Sequence, residues 1–287
     1  MVKQYKFHSS FFITSALQLK LTALLFFLIP INTNCSAQID SSFQFIKTIP
    51  GHFVSFEVDK LDNVFLIDEN NQLKKINSRG DSMGVFNDVK KYGNLSYLDV
   101  SNPLKILLYY KNFASIVTLD RYLGIRNSIN LRKEHIFSVN CLATSYDNNI
   151  WIFDEQEYQL KKINEEGKSL QQTVDIRLLL NETISPSTII DHENFVYLYD
   201  PEQGFYIFDY FGSYKNKLSF LHWTDVSISN NTLYGFFNNQ LETYQLGSLR
   251  LKEYPLPTFF SSSLSIKAIN GKLYVLREAG IDIYAVH

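Results

Sequence analysis

Six short apolar runs, returning at near-regular intervals, constrain this chain more than any other feature. They begin at Val64 (VFLID), Ile106 (ILLYY), Ile150 (IWIFD), Val196 (VYLYD), Leu233 (LYGFF) and Leu273 (LYVLR). Successive starts lie 37 to 46 residues apart, and the hexapeptide QLKKIN occurs twice, at Gln72–Asn77 and Gln159–Asn164. A run of four or five apolar residues bounded by turn signals reads as a strand buried on both faces. The turn signals stand in front of most runs: Asp62-Asn63, Asp147-Asn148-Asn149, Asn194, Asn230-Asn231 and Asn270-Gly271, with Asn102-Pro103 in the second copy. Asn and Asp accept left-handed backbone and hydrogen-bond their own main chain, which suits tight hairpins.

A third strand is predicted 8 to 10 residues after each run starts, at Leu73, Ile116, Leu160, Phe205, Leu241 and Ile281, followed by a more polar fourth. Four antiparallel strands per repeat of about 42 residues describe a propeller blade. No segment carries a helical apolar period over several turns. The last repeat, from Leu264 to Val286, holds only three strands, while Phe43–Ile49 (FQFIKTI) is a strand without a repeat. Joining the two completes a ring and removes two open sheet edges. The expected fold is therefore all-β, a six-bladed β-propeller of four-stranded antiparallel blades, closed by strand 43–49 in the last blade. A β-sandwich with regular strands is the alternative, and it leaves the missing strand unexplained.

The first 37 residues read as a signal peptide and residues 38–287 as a single propeller domain. Lys3, Lys6 and Lys20 precede an 11-residue apolar stretch, Leu21–Ile31, and small residues at Ser36 and Ala37 suit cleavage before Gln38. Such a stretch is short for a membrane span, which needs about 20 residues, so no transmembrane span is expected after cleavage. Export across the inner membrane follows, to the periplasm, the outer membrane or the exterior. Cys35 as a lipidated cysteine is the minority alternative, since Asn32, Thr33 and Asn34 make a poor lipobox. Cys141, within an apolar run, is expected to be buried and inert.

The whole chain carries a net charge of −2; without residues 1–37, which hold three lysines and no acid, it is −5. Nucleic acid is excluded as a partner class, because phosphate binding needs a basic field. Nucleophile elbows, His-Glu-x-x-His, phosphate loops and Cys-x-x-Cys are all missing. Neither a cofactor nor a metal is expected.

Blade one, FEVDKLDNVFLIDENNQLKKINSRGD from Phe56 to Asp81, resembles an NHL-type propeller repeat. It carries Asp59 after the first strand, Asp68 closing the second and Gly80 after the third. Blades three and four match at Asp154 and Gly167 and at Asp200 and Gly212, while Tyr110, Phe237 and Arg277 replace the closing Asp elsewhere. The resemblance implies a propeller, among which are binding scaffolds, lactonase-like hydrolases and lyases; fold does not choose among them.

In such a ring, loops between second and third strands share one face with the blade-to-blade connections. The first set brings Asp68, Asp154 and Asp200 to that face. The second brings His52, His135 and His222 from alternate blades, with Trp223, Phe259 and Phe260. Such aromatics either contact sugars, peptides or proteins or plug the channel mouth; the expected binding face is His52, Asp68, His135, Asp154, Asp200, His222 and Trp223. The favoured expectation is a non-enzymatic binding or scaffold propeller for a protein, peptide or glycan. The alternative is a metal-assisted hydrolase or lyase of lactonase-like type. Carboxylates, Asn or His converging within about 3 Å of one axial point would favour the enzyme; a channel plugged by aromatics, with charges splayed outward, would favour the binder.

Overall fold

The computed structural model describes residues 42–286; the proposed leader and Cys35 lie outside them. The chain forms six four-stranded antiparallel sheets. Blade 1 comprises β2 (Ser55–Val58), β3 (Val64–Ile67), β4 (Leu73–Ile76) and β5 (Ser82–Phe86). Blade 2 comprises β6 (Tyr97–Asn102), β7 (Lys105–Tyr110), β8 (Ser115–Leu119) and β9 (Ile125–Asn130). Blade 3 runs β10 (Val139–Thr144), β11 (Ile150–Asp154), β12 (Gln159–Ile163) and β13 (Ser169–Gln172). Blade 4 runs β14 (Thr188–His192), β15 (Phe195–Asp200), β16 (Gly204–Asp209) and β17 (Tyr214–Leu218). Blade 5 runs β18 (Thr224–Ser229), β19 (Thr232–Phe237), β20 (Gln240–Gln245) and β21 (Arg250–Pro255).

Blade 6 has β22 (Ser265–Ile269), β23 (Lys272–Arg277) and β24 (Gly280–Val286), and its outer strand is β1 (Phe43–Pro50), from the other end of the chain. β1 pairs with β24 from Phe43↔Val286 to Pro50↔Gly280. The first strands of neighbouring blades contact one another all the way round, β22 against β2 included, so the ring is closed. The molecule is a six-bladed β-propeller.

Each seam between blades holds its own apolar core. Val117 and Leu108 pack with Phe65 and Leu73 between blades 1 and 2; Ile152 and Ile163 pack with Leu107 and Ile116 between blades 2 and 3. Four further cores fill the remaining seams, and Phe43 of β1 joins the one between blades 5 and 6. Side chains alternate across a strand, so a middle strand sends successive residues into two seams and is apolar except at its ends. That is why β7 and β11 are buried along their whole lengths. Burying each such side chain stabilises by about 1.5–3 kcal/mol relative to exposure.

Turn chemistry repeats with the blades. Between third and fourth strands, a side-chain oxygen of Asn77, Asp120, Asn164 and Asp209 accepts two or more backbone N–H groups of the following turn. Two short helices, α1 (Val89–Tyr92) and α2 (Ile176–Leu180), lie in blade-to-blade connections. Among the described residues no helix is long and apolar enough to cross a membrane.

Candidate functional site

The six first strands wall a central cavity of about 660 Å³. In a first strand, alternate residues enter a seam and the channel. Glu57 lies between buried Phe56 and Val58, and Lys267 between buried Ile266 and Ala268; both face the cavity. Lys267 Nζ stands 3.0 Å from Glu57 Oε1 and 3.1 Å from Asp225 Oδ1, bridging blades 1, 5 and 6. Asp225 has left-handed backbone, φ 50°, beside a bulge that shifts the β18–β19 register between Thr224 and Ser227. This turn aims its carboxylate across the seam, where it also accepts bonds from Ser265 Oγ and the Ile266 N–H.

Two carboxylates thus share one ammonium. Burial raises the Glu57 pKa above the usual carboxylate range, and attraction to Lys267 offsets only part of that. Burial works against the Lys267 charge, but the two acids outweigh it and hold the ammonium protonated. Asp99 also faces the cavity; its Oδ2 accepts from the Thr144 N–H at 2.7 Å and the Thr144 hydroxyl at 2.8 Å. Carboxylates therefore do converge at the axis, but on a lysine.

Above Asp225 the channel opens into a groove of about 620 Å³ between blades 5 and 6. His222, Phe237, Asn239, Phe260 and Ser263 line it, with Thr224 and Asp225 shared between groove and channel. The His222 backbone N–H donates to Pro201 O at 2.6 Å, and its exposed ring lies 3.5 Å from Glu202 Oε1. Arg277, where the repeat would have its closing Asp, donates to Asp282, Ser262 Oγ and Phe259 O, fixing the loop that borders this groove.

The predicted face is assembled differently. Asp68, Asp154 and Asp200 cap the turns that follow their strands. Asp68 Oδ1 accepts from the Asn70 and Gln72 N–H groups. Asp154, fully buried, accepts from Gln156 N–H and pairs with Lys161 at 2.7 Å. Asp200 accepts from the Ser185 and Glu202 N–H groups. Each carboxylate is engaged by nearby backbone N–H groups, Asp154 by an ammonium as well, and Glu69, Glu157 and Glu202 are left exposed.

Trp223 presents no ring at the surface: it is 3% exposed, its indole N–H donates to Glu242 Oε2 at 2.9 Å, and it stacks on Phe220. Phe260 is likewise buried, whereas Phe259 is half exposed. His52 and His135 are exposed in separate blade connections, His135 ending a 3₁₀ turn at φ 60°. Among the described residues no three His, Cys, Asp or Glu side chains are placed to hold one metal ion. Cys141 is buried with its Sγ 3.3 Å from Pro186 O, and burial pushes its thiol pKa well up.

Of the predicted residues, the structure brings only His222 to the groove that joins the channel. The residues that sequence reasoning passed over are Glu57, Asp225 and Lys267. For Glu57 and Lys267 the available signal was a lone charge inside an apolar first strand, FEV and IKA, where a period of two sends it away from the seams.

No family model matches the sequence, and no curated protein does. Solved structures with a similar fold include catalytically inactive virginiamycin B lyase from Staphylococcus aureus with quinupristin, 15% identical, TM-score 0.56, covering 82% of this chain and 81% of that one. The Pan2 WD40 domain of Neurospora crassa is 10% identical with TM-score 0.58, over 85% and 82% of the two chains. A Bacteroides fragilis protein described as exported is 12% identical with TM-score 0.57, over 86% and 94%. These likenesses define the class, a β-propeller, and show the fold alone.

Proposed function

We propose that the chain is an exported, non-enzymatic binding propeller whose contact surface is the upper groove between blades 5 and 6. The observation that carries this reading is the open groove itself. It sets Phe237 and Phe260 beside His222, Asn238, Asn239 and three serines, while the neighbouring Asp225 carboxylate is already engaged by Lys267. A mixed aromatic and polar lining suits a peptide, protein loop or glycan. Within the propellers the reading stays NHL-like, supported by the turn-capping roles of Asp68, Asp154 and Asp200 and by Gly80, Gly167 and Gly212 at positive φ. Residues 1–37 act as the leader in this reading, and 38–287 as the exported domain.

Site-specific photo-crosslinking in the native cell tests it. A photoreactive residue at Asn238, on the groove, is expected to capture a discrete partner; one at Tyr122, exposed on the opposite face, is expected to capture none. Equal capture from both positions, or none from Asn238, would remove the groove as the contact surface. The enzymatic alternative is checked with quinupristin, which accompanies the similar lyase. Metal-dependent turnover by the purified protein would replace the binding reading.

A further inference from the structure

The seam between blades 5 and 6 has a second opening, on the lower face, as a cleft of about 300 Å³. Arg250, Lys252 and Tyr254 of β21 line one wall, and Lys272 with Ile269 the other. No Asp or Glu is among its described lining residues, although the chain as a whole is acidic. Lys272 is engaged by Asp62 at 2.6 Å. Among the described residues neither Arg250 nor Lys252 has an ion-pair partner.

Lysines often protect an outer strand from pairing, and blade 4 shows that use: Lys215 pairs with Asp209 and Lys217 with Glu182. Blade 5 differs in direction. Lys252 opposes Thr243, and the register places Gly84, Asn127 and Asn216 at the equivalent seam-facing position of blades 1, 2 and 4. Blade 3 carries Gln171 there and blade 6 Lys47, whose ammonium donates to Ser78 O at 2.7 Å; blade 5 points into its seam a cation that, among the described residues, has no such partner. At the next seam-facing position, Phe86, Ile129 and Leu218 of blades 1, 2 and 4 are replaced by Tyr254; blade 3 has Thr173 there, its hydroxyl oxygen taken by the Leu160 N–H, so blade 5 brings a phenol to this contact.

We infer that this cleft binds an acidic saccharide, a sugar residue carrying carboxylate or sulfate. Arg250 and Lys252, alternate residues about 7 Å apart along the strand, supply the anion contacts, and a guanidinium fork matches either group. Thr232, Thr243 and Gln245 on the wall both donate and accept, as sugar hydroxyls require, while Tyr234, Tyr254 and Ile269 offer apolar faces to ring C–H groups. An acidic peptide is the less suited ligand. It would pair with the outer amides of β21, which lie outside the cleft, and Pro255 lacks one of those donors. The inference stands apart from the upper groove and does not need it.

Calorimetric titration of protein purified from cells expressing the full chain provides the test. The probes are trigalacturonate, a sulfated heparin disaccharide, neutral maltotriose, triglutamate and sodium sulfate, all at one ionic strength. At least one acidic saccharide is expected to bind and maltotriose is not; which one binds separates carboxylate from sulfate. Arg250→Gln with Lys252→Gln should weaken that binding about tenfold or more, and Lys215→Gln with Lys217→Gln should leave it intact. Both cleft cations are exposed, so an unchanged melting temperature verifies the fold, and Thr243→Val should weaken saccharide binding with charge retained. Binding of neither acidic saccharide, equal binding of triglutamate or sulfate, or indifference to the double substitution would overturn the inference.

Discussion

Blades 3 and 5 share one topology but are built to different standards. In blade 3 every residue of β11 is buried, and Trp151, 1% exposed, ties its indole N–H to Asp191 of the next blade at 2.8 Å. In blade 5 the matching β19 is buried at three of six positions, and the first strand β18 at none, against five of six in β10; cavities border the blade on both sides, those of about 620 and 300 Å³ toward blade 6, and one of about 330 Å³ toward blade 4. On the face turned toward blade 4, Gly235 stands where the other second strands place Leu66, Leu108, Ile152, Leu198 and Val275, all buried. Trp223 from the blade connection fills part of the gap, lying so close that a Cβ on Gly235 would be 2.2 Å from its ring. The two openings proposed for ligands lie on the other side of the blade, toward blade 6, and loosely packed elements are where binding surfaces are usually drawn from.

The largest expected effect comes from the closing strand, which completes the loose side. Deleting Phe43–Pro50 removes the β1–β24 ladder and takes Phe43 out of the blade 5–6 core. Loss of the single cooperative unfolding transition is expected in a chemical denaturation curve; an unchanged midpoint would mean that the ring does not depend on closure. Next, Trp151→Ala is expected to cost about 3–5 kcal/mol, and Tyr234→Ala at the matching position of blade 5 less than about 2 kcal/mol. Equal losses would show that blade 5 is packed as tightly as blade 3.

Gly235→Ala should cost about 1–3 kcal/mol by overpacking against Trp223, with a shift in tryptophan fluorescence. A neutral substitution would mean that the indole sits elsewhere. The smallest effect is a pH step in the better-packed blade. Burial disfavours the Asp147 charge, but hydrogen bonds from Lys162, Asn149 and Ser145 outweigh it and hold its pKa at about 2, below the usual 3.8. The folded carboxylate binds its proton less readily than the unfolded one, so its contribution is complete above pH 3.8 and is lost as pH falls through about 2. Asp147→Asn should flatten that part of the stability curve; hydrogen exchange should place the step in the β10–β11 hairpin, while blade 5 amides exchange faster throughout.

Much of the fold was legible because a strand buried on both faces admits only apolar residues. Runs such as ILLYY and IWIFD marked the middle of each blade, and the Asn and Asp turns marked their limits. The closing strand was legible for a related reason, since an unpaired strand and a three-stranded blade are each costly alone. The site was less legible. Asp68, Asp154 and Asp200 stood in the right loops, but whether a carboxylate caps its own turn or faces a ligand depends on where neighbouring amides lie. Whether Trp223 would offer its ring to a ligand or bury it at the channel was not legible, because nothing near it in sequence announces Gly235, its partner 12 residues on.

By itself, then, the sequence determined the number of blades, their strand order and the means of closure, because these follow from local periodicity and from satisfying backbone hydrogen bonds. Only the tertiary structure decided that Glu57, Asp225 and Lys267, from three blades and up to 210 residues apart, meet at one ammonium. It also decided that the seam on either side of blade 5 stays open. Charge pairing and cavity volume depend on distances across blades, and those are fixed only when the ring closes.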